Sequence, residues 1–74
     1  MSNPADLKKH SVSIRGHRTS VSMETIFWDA LKAQVTAEET TLAALIVKID
    51  ETRTGNLSSA LRVYVMESLE AKLP

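Results

Sequence analysis

Arg18-Thr19-Ser20-Val21-Ser22-Met23 alternates strictly along its six residues, and that alternation restricts what the rest of the chain can become. In an extended strand, Thr19, Val21 and Met23 point to one face and Arg18, Ser20 and Ser22 to the other. A short strand with one apolar face is not stable alone in water; it needs further strands or a covering helix. Another segment of the chain, or a second copy of it, must therefore complete this one.

The upstream residues offer a partner. Ser11-Val12-Ser13-Ile14 echoes Ser20-Val21-Ser22-Met23 at a distance of nine residues, with Arg15-Gly16-His17 between the two alternating stretches. A two-residue loop at Gly16-His17, with Gly first as a type II′ turn prefers, predicts a hairpin. It would set Ile14 against Thr19 and Val12 against Val21 on the apolar face. On the polar face Ser13 would meet Ser20, and Arg15 would meet Arg18, a like-charged pair that an anion would relieve. Residues 1–8 have the composition of a flexible N-terminal tail, leaving 9–74 as a single domain.

After Met23 the period changes from 2 to 3.6. Phe27, Ala30, Leu31, Gln34 and Val35 form one stripe of a helix from about Thr25 to Glu38, widened by Ile26 and Trp28. Thr40 or Thr41 then supplies a cap for a second helix, Leu42 to about Arg53. That helix is apolar nearly all round until Lys48, Asp50 and Glu51, which predicts burial on several sides and favours a second subunit. Thr54-Gly55-Asn56 reads as a stop followed by a start, with Gly55 at the position after the helix and Asn56 or Ser58 as the next cap. A third helix, about Ser58 to Lys72, carries Leu57, Leu61, Tyr64, Val65, Ser68 and Leu69 on one stripe.

At 74 residues the chain buries only a modest core, and without cysteine it has no disulfide to reinforce it. His10 and His17, seven apart and without a carboxylate motif, do not match zinc-ligand spacing, so no metal or other cofactor is expected. Oligomerisation is the remaining means of support. No Ser-His-Asp arrangement and no Gly-rich phosphate loop is present, so an enzyme is not expected. No apolar run reaches the ~20 residues that span a bilayer and no secretory signal is visible, which together predict a cytoplasmic protein without a membrane partner.

The formal net charge is zero but unevenly spread. Residues 1–23 hold Lys8, Lys9, Arg15 and Arg18 against Asp6 alone, whereas residues 24–74 hold five Lys and Arg against eight Asp and Glu. A basic end on an acidic body suits a directional contact with a polyanion, and equally a solvated end.

Strand, helix, short polar turn and strongly apolar helix, from Arg18 to about Arg53, resemble the ribbon-helix-helix fold of Arc- and MetJ-type repressors. The wider string from Lys9-His10-Ser11 through Phe27-Trp28 is similar to a bacterial subfamily of that fold. The resemblance implies a mainly α chain with a short N-terminal β ribbon, forming an intertwined homodimer. Here an extra N-terminal strand and a third C-terminal helix are added. It also implies a dimer core of Val21, Met23, Phe27, Leu31, Leu42, Leu45, Ile46 and Ile49.

For function, the resemblance implies a transcriptional regulator that reads duplex DNA as a dimer, with the strand 18–23 pairing antiparallel with its twin and the two-stranded ribbon entering the major groove. Arg18, Ser20 and Ser22 would face the bases, where Arg bonds guanine bidentately and Ser donates or accepts. Thr41 and Leu42, at a helix N-terminus, would take a phosphate, with Lys8, Lys9, Arg15 and His17 adding salt-dependent attraction. Bound to DNA, such a protein would be nucleoid-associated. Two alternatives stay open. Alternation by itself also leaves Ser20 and Ser22 as a merely solvated face, and the third helix would equally serve a dimeric interaction module, antitoxin-like or an adaptor. The strand at 11–14 would either flank the reading ribbon or take the place of its twin.

Overall fold

The computed structural model describes residues 3–73, in the order β1 (Leu7–Ile14), β2 (His17–Glu24), α1 (Thr25–Ala37), α2 (Leu42–Thr52) and α3 (Leu57–Glu70). Met1 and Ser2, within the expected tail, and Pro74 lie outside the described residues.

β1 and β2 form the expected antiparallel hairpin, but the turn sits one residue earlier, at Arg15-Gly16. Both residues have positive φ, 52° and 82°. That is the requirement of a type I′ turn, whose twist matches that of the flanking strands. Val12 therefore opposes Thr19, Ile14 opposes His17 and Ser13 opposes Arg18. The shift moves each partner by two residues, so no side chain changes face. It also dissolves the Arg15–Arg18 pair, since Arg15 now lies in the turn. β1 begins at Leu7, so Leu7 and Lys8 are strand residues where tail was expected.

The inner face of the hairpin rests on the helices. Val21 and Met23 are fully buried, Val12 and Ile14 pack against the same core, and the His10 ring stacks on Trp28 of α1 at 3.7 Å between centroids, 6° from parallel. α1 starts without a side-chain cap. Its first amides are met by main chain instead: Thr25 N–H donates to the Asp6 carbonyl (2.9 Å) and Ile26 N–H to that of Pro4 (3.0 Å). Asn3 and Asp6 close the turn that presents those carbonyls, Asn3 N–H donating to Asp6 Oδ2 at 3.0 Å. Residues 3–6 thus cap a helix that follows them by some twenty residues.

α1 buries Leu31 and half-buries Phe27, Trp28, Ala30, Gln34 and Val35, following the predicted stripe. Ile26, expected to widen it, is exposed. The helix ends in a Schellman arrangement, Glu39 N–H to Thr36 O (3.2 Å) and Thr40 N–H to Val35 O (3.1 Å). The residue that must turn left-handed is Glu39, at φ 53°. Thr41 then caps α2, its Oγ1 accepting from Ala44 N–H at 3.1 Å.

α2 buries Leu45, Ile46 and Ile49. Leu61 and Val65 of α3 belong to the same core, with Val21, Met23 and Leu31. The apolarity of α2 therefore does not by itself require a second chain, because α3 and the hairpin cover it. Six of the eight residues assigned to a dimer core (Val21, Met23, Leu31, Leu45, Ile46, Ile49) are buried inside one chain, and Phe27 and Leu42 are half-buried. The α2–α3 turn also differs from expectation. Gly55 does not adopt positive φ; the chain leaves α2 extended at Arg53. The Arg53 side chain secures the turn by donating to Asp50 Oδ1 (2.6 Å) and to the Gly55 carbonyl (2.8 Å). Asn56 caps α3 by accepting from Ser59 N–H at 2.8 Å.

Candidate nucleic-acid interface

Strand parity divides the basic end into two faces. Arg18, Ser20 and Ser22 lie together on the outer face of β2, away from Val21 and Met23. β1 contributes three more side chains to that face: Lys9 opposite Ser22, Ser11 opposite Ser20, and Ser13 opposite Arg18. All six are exposed except Ser22, which is half-buried. Glu24, the nearest acid on this face, stands at the far end opposite Leu7 and is drawn toward α3 by Arg62 (3.6 Å).

The cations expected to meet phosphate are not all gathered here. Lys9 shares the outer face. Lys8 opposes Met23 and His17 opposes Ile14, so both fall on the inner-face parity, exposed at the rim. Arg15 stands at the hairpin tip in an ion pair with Glu51 of α2 at 3.1 Å, both side chains more than half exposed. Thr41 is exposed, with its Oγ1 engaged by Ala44 N–H and its hydroxyl hydrogen still free to donate. Leu42, half-buried, opens α2 beside it.

Of the two acids at the α1–α2 turn, Glu38 is tied into side-chain hydrogen bonds that favour its charged form. Glu38 accepts from Gln34 Nε2 at 3.1 Å and from the Tyr64 hydroxyl, while Lys72 Nζ donates to Gln34 Oε1 at 3.0 Å. The Tyr64 hydrogen bond, then that of Gln34, holds the Glu38 carboxyl below its ordinary range, and Lys48 and Lys72 add to this. Tyr64 is pushed up, first by burial and then by its bond to Glu38. His10 is pulled down by burial, with Lys32 and Lys8 as lesser causes.

Sequence reasoning placed Arg18, Ser20 and Ser22 on one face but gave no role to the outward side chains Ser11 and Ser13. The nine-residue echo was the available signal, since two like strands in a hairpin present like residues on the same side. Among the described residues, no group of three or more His, Asp or Glu side chains is placed to hold a metal, and no helix is long and apolar enough to cross a membrane.

The family model described as "Ribbon-helix-helix domain" matches residues 7–69. Among solved structures the chain is similar to an uncharacterized protein from Bordetella pertussis Tohama I, at a TM-score of 0.74 and 23% identity. The match covers 96% of this chain and 65% of that one, so this chain spans just under two thirds of its length. At that identity the likeness speaks for the fold. No curated protein matches the chain.

Proposed function

The chain belongs to the ribbon-helix-helix family, and from that premise we propose that it is a homodimeric transcriptional regulator of the bacterial cytoplasm that reads duplex DNA, as a dimer, with the outward face of strand 18–23. The family supports the general class of DNA-binding regulators and related modules. The observation that carries the finer reading is the face bearing Arg18, Ser20 and Ser22, which is polar, cationic and without a carboxylate between Arg18 and Ser22. A two-stranded ribbon is the width that enters the ~12 Å major groove. Thr41 and Leu42 at the start of α2 would take a backbone phosphate, with Lys8, Lys9, Arg15 and His17 at the periphery.

A zero net charge does not oppose this, because the field that a groove meets is local. The cations of residues 1–23 are carried by the hairpin, while most acids lie on the helices. Fluorescence anisotropy on a random-sequence duplex at low salt tests the reading. Binding should weaken steeply as salt rises, and Arg18→Ala should weaken it further and flatten the salt dependence. A folded protein that ignores duplex at low salt would sink the proposal.

One observation favours a second reading. Val63, Met66, Leu69 and Leu73, four of the six exposed large apolar side chains among the described residues, lie on α3 or just beyond it. A dimeric protein-interaction module using that helix would explain them. Light scattering on the purified protein, with and without duplex, separates the cases: the regulator is a dimer that binds duplex, and the module is a dimer that does not.

A further inference from the structure

We propose that α3 carries a second interface between copies of this chain, in which the exposed face centred on Met66 pairs, two-fold and antiparallel, with the same face of another copy. This goes beyond the duplex-binding reading, does not depend on it, and leaves the pairing of the ribbon strands untouched.

The open edge of β2 is a different surface. A two-residue turn closes on a hydrogen-bonded pair, here Ile14–His17, and bonded pairs then alternate along the hairpin. Thr19 and Val21 therefore bond β1, while Arg18, Ser20 and Ser22 turn their main-chain N–H and C=O groups to the open side. Such an edge is met by another strand, and in the ribbon-helix-helix family that strand is the twin's. The α3 face lies past this edge. Leu57 and Ser20 line one groove, and Arg62 reaches Glu24, the last residue of β2, at 3.6 Å. α3 thus runs in the same sense as β2, and Met66, one turn after Arg62, stands beyond the end of the strand.

Two rows of side chains cross at Met66. Arg62, Met66 and Glu70 are spaced by four residues, and Val63, Met66 and Leu69 by three, the two ridges along which helices pack. Val63, Met66 and Leu69 are each about half exposed, and Glu70 is exposed. A two-fold axis through Met66 turns each row end for end. Val63 then meets Leu69 of the second copy, Arg62 meets its Glu70, and Met66 meets Met66. Apolar groups face apolar ones, and both charged contacts are between opposite signs. A parallel arrangement would set Arg62 against Arg62 and Glu70 against Glu70, so charge selects the antiparallel one. A foreign partner would need the same apolar spacing with the acid and base reversed; a second copy supplies both by symmetry alone. Arg62 meets Glu24 through one nitrogen, which leaves the rest of its guanidinium to donate outward.

Light scattering on the full-length protein, without duplex and over a concentration series, tests this. At low concentration the mass should be that of the dimer proposed above, and it should rise past two chains as concentration rises. Met66→Asp, which sets two carboxylates on the axis, should hold it at two chains. Arg62→Glu and Glu70→Arg should each raise the concentration needed for association by about tenfold or more. The double exchange Arg62→Glu/Glu70→Arg should restore it, because both contacts again join opposite signs. Glu24→Gln, which removes the acid that Arg62 meets within the chain, should leave association unchanged. Melts at low concentration, where mass action keeps the contact open, certify that each variant folds. A wild type that never exceeds two chains overturns the inference. So does a Met66→Asp protein that associates like wild type, or a double exchange that associates no better than the single ones. Anisotropy on duplex reads the regulator proposal separately, since these variants leave Arg18, Ser20 and Ser22 in place.

Discussion

The imidazole of His10 lies flat on the indole of Trp28, 3.7 Å between ring centroids and 6° from parallel. This stack joins the middle of β1 to the first turn of α1, and it leaves His10 Nε2 buried without a hydrogen-bond partner. An imidazole so placed is easier to keep neutral than to charge, because burial and the nearby Lys32 and Lys8 all disfavour the proton.

A pH dependence follows. The folded pKa of His10 is below its ordinary 6.5, so around and below pH 6.5 the unfolded chain binds more protons than the folded one. Stability is full above that range and falls as pH drops through 6.5 toward the folded value. Denaturant melts across that window should show the decline, and His10→Phe, which keeps a stacking ring, should reduce it. An unaltered pH profile in the variant would refute the assignment to His10.

Among the described residues, Glu39 is the one helix-ending position forced left-handed without being glycine. An L-residue there costs about 1–2 kcal/mol, partly offset when glycine's greater unfolded entropy is counted. Glu39→Gly should therefore stabilise the fold by about 0.5–1 kcal/mol, a rise in Tm of a few degrees for a domain of this size. Calorimetry reads it directly, and a lowered Tm would mean that the Schellman turn is not what limits this corner.

Leu61 tests whether α3 is part of the domain or an appendage. It is wholly buried in the core that α2 and the hairpin share, and its truncation to Ala should cost about 2–5 kcal/mol. Met66→Ala, on the exposed side of the same helix, should change stability by less than about 0.5 kcal/mol. Equal, small effects in urea melts would mean that α3 does not close the core.

Tyr64→Phe removes the hydroxyl that donates to Glu38. Glu38's folded pKa is lowered, so its contribution is present above its ordinary 4.5 and is lost as pH falls through the folded value. The variant should raise the Glu38 pKa toward that ordinary value and shrink the acid-side loss of stability. A carboxyl titration followed by NMR would record the shift; an unmoved Glu38 would contradict the bond.

Much of this was legible in the residues. The period-2 run ending at Met23 and the period-3.6 run after it located β2 and α1. The outward position of Arg18, Ser20 and Ser22 survived a turn placed one residue away from its expected site, because a two-residue change of partner leaves every side chain on its own face. The caps of α2 and α3 were legible as one of two residues each, since a capping side chain bonds an amide only two or three residues ahead; the structure takes Thr41 over Thr40 and Asn56 over Ser58. The fate of the other cations was not. Whether Arg15 is free or paired depends on Glu51, thirty-six residues away, and no local pattern records that distance.

Local periodicity, then, determined the order of the elements and the face on which most side chains lie, because those follow from backbone geometry over a few residues; it missed the start of β1 at Leu7 and the exposure of Ile26. Tertiary structure alone decided the hairpin register, the capping of α1 by Pro4 and Asp6, the left-handed turn at Glu39 and the burial of α2 by Leu61 and Val65. Each of those depends on which distant segment arrives to share a hydrogen bond or exclude water, and that is settled only when the whole chain packs at once.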